Sequence, residues 1–284
     1  MTVATVRPLT RRTFTWNDRT LAYQVYGAGE RWVVLLHGLL IDSRVNRGLA
    51  RSLAAHGHKV VLLDLLGHGA SDKPVHAAEY RMDVYAEQVV ALLDEIGAER
   101  AVVGGMSLGA NVALHVAARH PERVQGLLLE MPVLERAVPA AALTFVPALL
   151  AMHYARPVAR ALGRLVTRLG GDRDDALGGL LGPVVSPPEA TTAVLHGILV
   201  GPTVPTVDDR RSIAAPTLVL GHHADFIHPF SDAEALTRHI PDARLVQAAS
   251  IVSLRLGHPR LLDEIDRFLT EVWDTGADDV AAED

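Results

Sequence analysis

The chain has 284 residues, 49% of them hydrophobic, with a formal net charge of −6 and no cysteine. That length suits one large α/β domain, alone or with an inserted segment, and the apolar share is enough for a substantial core. The mild, mixed charge argues against a nucleic-acid partner, and the lack of cysteine excludes disulfides and thiol catalysis.

Met1 to Phe14 carries Arg7, Arg11 and Arg12 but not the apolar core of a secretory signal. No window reaches the ~20 apolar residues of a membrane span, so a soluble cytoplasmic protein is expected. Thr13–Trp16 and Leu21–Tyr26 read as a hairpin around Asn17-Asp18. Trp32–Leu36 is a continuous apolar run, the mark of a strand buried on both faces of a parallel sheet, and it ends in His37-Gly38-Leu39-Leu40. Ser43–Gly57 reads as a helix with a serine cap, and Lys59–Asp64 as a second buried strand. After it come Leu65-Leu66-Gly67-His68-Gly69-Ala70-Ser71-Asp72 and an amphipathic helix, Glu79–Ile96, closed by Gly97.

Ala101–Val103 is the next strand, and Ser107–His120 the helix that follows it. His115 and His120, five apart, do not share a helical face, which speaks against a metal pair. Val124–Pro132 is a strand that carries Glu130 near its end. From 133 to 211 the alternation stops. Ala140–Leu169 is mostly helical in pattern, with interruptions at Pro147 and Pro157, and Gly178–Pro183 and Ser186-Pro187-Pro188 read as loop punctuation. Pro216–Gly221 returns to the sheet, followed by His222-His223-Ala224-Asp225-Phe226-Ile227-His228-Pro229. That crowd matches neither common metallo-hydrolase spacing, so no metal is assigned. A helix (Ser231–His239), a last strand (Ala243–Gln247) and a final helix (Pro259–Trp273) complete the pattern. Residues 274–284, acidic and small, are expected to be a disordered tail.

The organising stretch is Gly105-Met106-Ser107-Leu108-Gly109, between a β-branched strand and a helix. A serine there occupies a strained turn that needs small neighbours, and its hydroxyl sits at a helix N-terminus that attracts negative charge. With the runs at 33–38, 64–72 and 221–225 in the same order, the chain from about Trp16 to Phe268 resembles an α/β-hydrolase with a lid domain. The resemblance implies a mostly parallel twisted sheet flanked by helices, with an inserted helical lid. The expected divisions are 1–132 and 212–273 for the core, 133–211 for the lid and 274–284 for the tail. Leu143, Phe145, Leu149, Leu150, Met152, Leu195, Ile198 and Leu199 then suit a greasy pocket ceiling, the lid's own core or a homodimer face.

The resemblance further implies Ser107 as nucleophile, backbone N–H groups of Leu39 and Leu108 as the oxyanion hole, and Asp225 as triad acid. It makes His37, Asp64 and His68 loop braces, and Glu130 a reserve acid. No cofactor is implied. The family's histidine follows the last strand by four or five residues, near 250–252, where this chain has none. Three arrangements stay open: His258 reaching Ser107 from the start of the final helix, His228 supplying the imidazole from the acid loop, or no base at all. The leading expectation is a serine hydrolase acting on a carboxylic ester or related acyl bond of a small, largely apolar molecule. The competing one is a non-catalytic small-molecule-binding protein with an incomplete triad. Serine at 107 argues against the aspartate-dependent dehalogenases and epoxide hydrolases of this fold. Thioesterase, lactonase, carbon–carbon hydrolase and acyltransferase chemistry stay open.

Overall fold

A computed structural model describes residues 11–171, 173–223, 225–248, 254–255 and 257–280; the readings made for 1–10, 250–252 and 281–284 lie outside these residues. Eight strands form one sheet: β1 (Arg12–Trp16), β2 (Arg19–Tyr26), β3 (Arg31–Leu36), β4 (His58–Asp64), β5 (Ala101–Met106), β6 (Val124–Glu130), β7 (Thr217–His222) and β8 (Ala243–Ala248). Their order is β1-β2-β4-β3-β5-β6-β7-β8. The first two strands pair antiparallel, joined by left-handed Asn17 and Asp18 (φ 46° and 58°), and every pairing from β4 to β8 is parallel.

The buried strands owe their apolar runs to cover on both faces. In β3, Val34 and Leu36 enter one core and Val33 and Leu35 the other; β4 divides Val61 and Leu63 from Val60 and Leu62 in the same way. One core takes the inner faces of α2 (Met82–Glu95) and α3 (Leu108–Arg119); the other takes α1 (Arg47–Ala55) and the final helix, Pro259–Val280. Each fully buried leucine or valine contributes roughly 1.5–3 kcal/mol, so the two layers rather than local propensity hold the sheet. The chain leaves β3 for β4 on one side, and β5 lies on the other. Such a reversal opens a crevice at the carboxyl ends of the strands.

Several local expectations change. Asp42, not Ser43, caps the first helical segment, its side chain accepting the Arg44 N–H at 3.0 Å. The expected Glu79–Ile96 helix is split at extended Arg81, so that Tyr80 and Met82 are both buried. Between β6 and β7 lie α4 (Val138–Tyr154), α5 (Arg156–Val166), a π turn (Thr167–Gly171), α6 (Ala176–Val185), α7 (Pro188–Val200) and α8 (Val207–Arg211). Pro147 lies inside α4, with the turn around it open to solvent that can satisfy the freed carbonyl. Gly178 and Gly179 lie inside α6, where close packing requires glycine: a Cβ on Gly179 would lie 2.9 Å from Asp42 Oδ1. The final helix runs past Trp273 to Val280, where a tail was expected, and Asp274 pairs with Arg31 at 2.7 Å.

Candidate active site

Ser107 follows β5 directly, with φ 52° and ψ −111°, a conformation costing about 1–3 kcal/mol that the surroundings impose. Its N–H donates to the Glu130 carbonyl on β6 at 2.9 Å, and its carbonyl accepts the Asn111 N–H at 3.1 Å. A Cβ on Gly105 would stand 2.6 Å from the Leu36 carbonyl oxygen, and one on Gly109 2.7 Å from the same atom. The two glycines therefore let α3 settle onto β3 with the serine at its tip.

The loop after β7 folds back on its own carboxylate. Asp225 Oδ1 accepts the N–H groups of Ile227 (2.8 Å) and His228 (3.0 Å), which leaves Oδ2 for His228 Nδ1 at 3.0 Å. His228 Nε2 then lies 2.8 Å from Ser107 Oγ. With Nδ1–H donating to the carboxylate, Nε2 is bare and can accept the hydroxyl proton; this tautomer is assigned from the partners. Burial pushes the Asp225 carboxyl up, but the N–H and ring of His228 and the Ile227 N–H outweigh it and hold it below the usual value.

His258 is placed elsewhere. It is exposed at the start of the final helix, where its carbonyl accepts the N–H groups of Leu261 and Leu262 at 3.0 and 3.1 Å, and its ring has no bond to Ser107. Of the three arrangements left open, the one the structure brings into contact with the serine is that of His228, supplied by the turn at Asp225. Glu130 does not meet the imidazole of His228 either. Its buried carboxylate pairs with Arg255 and lies 3.3 Å from His222 Nε2. Burial raises its pKa, but the charge of Arg255 and the contact with His222 overcome that and leave it lowered. The other histidines scatter: His223 stacks on Phe230, His120 meets Glu87, and His115 is buried in α3.

Leu39 and Leu108 both border the cavity at Ser107. The N–H of Leu108 is the first of α3, and such groups have no partner within their helix. The Leu39 loop is braced by two rings. His37 Nδ1 donates to the Gly38 carbonyl at 2.9 Å while Nε2 accepts the Leu65 N–H at 3.1 Å. His68 Nδ1 donates to the Leu66 carbonyl at 3.0 Å while Nε2 accepts the Leu40 N–H at 3.2 Å. Asp64 adds bonds from the N–H groups of Ser43 and Ala70, both at 2.9 Å.

Burial, with His37 nearby, pushes His68 down to about 3 from 6.5. The unfolded chain therefore takes up a proton below 6.5 that the folded chain refuses until about 3, so stability falls as pH drops through that window. The expected loss from this ring is about 2–3 kcal/mol at pH ~4.5 relative to neutrality. Urea midpoints at the two pH values should fall less in His68→Gln than in wild type; equal falls would refute the assignment.

The cavity beside Ser107 encloses ≈ 160 Å³ and is mostly apolar, with Phe145, Leu195, Ile198 and Leu199 of the helical insertion and Ile227 in its wall. Leu143 and Leu150, for which a pocket ceiling, the lid's own core or a homodimer face stood open, point to solvent and line neither of the first two. One residue escaped the sequence reading. Asn111, fully buried, donates to the carbonyls of Val133 (2.7 Å) and Thr203 (2.8 Å) and accepts the Val133 N–H (3.0 Å), tying both ends of the insertion to the helix that Ser107 begins. Asp232 strengthens the first tie by accepting the N–H groups of Leu134 (2.9 Å) and Ala137 (3.0 Å). The available signal was a lone amide in an apolar helical run.

Residues 31–178 match the family described as alpha/beta hydrolase fold. A pimeloyl-acyl-carrier-protein methyl ester esterase of Nitrosomonas europaea is 30% identical over 223 residues, covering 75% of this chain and 85% of that relative. An uncharacterized protein of Mycobacterium tuberculosis is 35% identical over 127 residues, covering 45% of this chain; the match spans 36% of the relative's length. The solved enol-lactonase of Burkholderia xenovorans aligns with a TM-score of 0.74 at 21% identity, over 91% of this chain and 100% of the other.

Proposed function

We propose, from the premise that this chain belongs to the α/β-hydrolase fold family, that it is a serine hydrolase cleaving a carboxylic ester or related acyl bond of a small, largely apolar substrate. The observation that carries the reading is the 2.8 Å approach of His228 Nε2 to Ser107 Oγ, with Asp225 on the other ring nitrogen. A pocket that only bound a ligand would have no use for that relay.

In the proposed mechanism Ser107 Oγ attacks the carbonyl carbon as His228 Nε2 takes its proton. Negative charge gathers on the former carbonyl oxygen, where the N–H groups of Leu39 and Leu108 receive it at the N-terminus of α3. His228 then returns the proton to the leaving alcohol, whose bond to carbon breaks, and an acyl-serine remains. Water, deprotonated by the same ring, hydrolyses it. Asp225 stays ionised, holds the tautomer and offsets the positive ring. The helical insertion serves as a lid: Phe145, Leu195 and Ile198 offer an acyl group an apolar wall and exclude competing water.

Labelling with a fluorophosphonate probe tests this directly. Wild type should be labelled and Ser107→Ala should not be, with both proteins folded by circular dichroism. No labelling of the folded wild type would end the hydrolase reading and leave the non-catalytic binding protein.

A further inference from the structure

A helix that is apolar all round belongs in a core or in lipid. From 137 to 171 the chain has no acidic residue, and α4 in its middle contains no Lys, Arg, Asp or Glu at all, yet none of its residues is buried. One face, through Ala141 and Phe145, lines the cavity at Ser107. The opposite face is a row at helical spacing, Leu143 (68% exposed), Val146, Leu150 and Tyr154 (79% exposed). Such a row on a water-facing surface marks an interaction site.

Helix α5 and the π turn after it carry a second row. Val158, Leu162, Leu165 and Leu169 recur at i, i+4, i+7 and i+11 and are all at least half exposed. On the other face of the helix Arg156, Arg160, Arg164 and Arg168 recur every fourth residue, on the side that carries Gly163. Arg160 meets Glu189, but Arg164 and Arg168 have no carboxylate partner among the described residues. A helix with a leucine face and an arginine face, in a stretch without acidic residues within a chain of net charge −6, has the pattern of one that lies in an interface apolar inside and anionic at its rim.

We infer that α4 and α5 dock on an anionic lipid surface, the leucine rows entering the acyl boundary and the arginines meeting the headgroups. The chain lies on that surface rather than crossing it. No single described helix is long and apolar enough to span, and the two helices are bent by 97° at their junction. The docking does not rest on the hydrolase reading.

The test is co-sedimentation of the full chain with phosphatidylcholine vesicles, with and without about one-third phosphatidylglycerol. Wild type and Ser107→Ala should bind the anionic vesicles alike, and more weakly as salt is raised. Leu162→Asp/Leu165→Asp and Arg164→Gln/Arg168→Gln, each changing exposed side chains, should fold normally and bind about ten-fold or more weakly. Failure of folded wild type to bind, or equal binding to neutral and anionic vesicles, overturns the proposal. So does a dimer in light scattering that Leu162→Asp/Leu165→Asp dissociates in a protein without vesicle affinity.

Discussion

Replacing His228 by alanine is expected to lower kcat/KM toward an activated ester by about 10³–10⁴-fold, while His258→Ala stays within about two-fold of wild type. The expectation follows from one turn of chain. Asp225 spends Oδ1 on the N–H groups of Ile227 and His228, and that ring-closing turn aims the imidazole of His228 across the crevice at Ser107, 2.8 Å away. On the proposed mechanism, truncating the ring removes the proton acceptor and leaves the serine as a neutral alcohol, with only the N–H groups proposed for the oxyanion hole to assist. His258 is exposed at a helix start, and its removal alters no bond to Ser107. Both variants should keep the wild-type unfolding free energy in urea within about 1 kcal/mol, since neither ring is a core group. The reverse ranking of the two histidines would refute the assignment.

The comparison of the two histidines shows what a sequence can and cannot carry. A serine between glycines at a strand–helix junction is legible because the constraint is local: two missing Cβ atoms and one strained residue within five positions. The acid loop is legible for the same reason, as it follows a strand whose apolar run is plain. The histidine that meets the serine is not, because separation along the chain from β8 says nothing about where a loop turns in space. Asp225 and His228 are three residues apart, but Ser107 is 121 residues from His228, and only the assembled sheet brings them together.

The helical insertion fails to be legible in a different way. Proline and glycine punctuate chains when backbone freedom decides, but Pro147 and Gly178 are held in helices by their surroundings, the first facing water and the second under close contact. Asn111 acts through carbonyls 22 and 92 residues away, partners that no periodicity reveals. Composition did register that 133–211 differs from the rest. It could not tell which apolar residues wall the cavity and which face outward, since on α4 they alternate around a helix apolar on both sides.

Glu130→Ala is expected to destabilise the fold by about 3–5 kcal/mol while leaving the fluorophosphonate labelling rate of the folded fraction within a few-fold of wild type. Glu130 is 4% exposed and pairs with Arg255, whose other nitrogen approaches Met106 Sδ at 2.8 Å. Deleting the carboxylate strands a guanidinium that is mostly covered and removes the partner of buried His222, an uncompensated charge rather than the loss of a net-favourable pair. Glu130→Gln/Arg255→Met, which removes both charges at similar volume, should therefore recover much of the loss. Asp225→Asn should behave in the opposite manner: a near-native urea midpoint, and a labelling rate lower by about 10³–10⁴-fold, because an amide no longer holds the His228 tautomer or balances its charge. A triad acid at Glu130 would invert the pattern, Asp225→Asn being tolerated and Glu130→Ala silencing the serine. The carboxylate at the end of β6 and the carboxylate on the loop after β7 are thus separable by one pair of measurements, stability for the first and rate for the second.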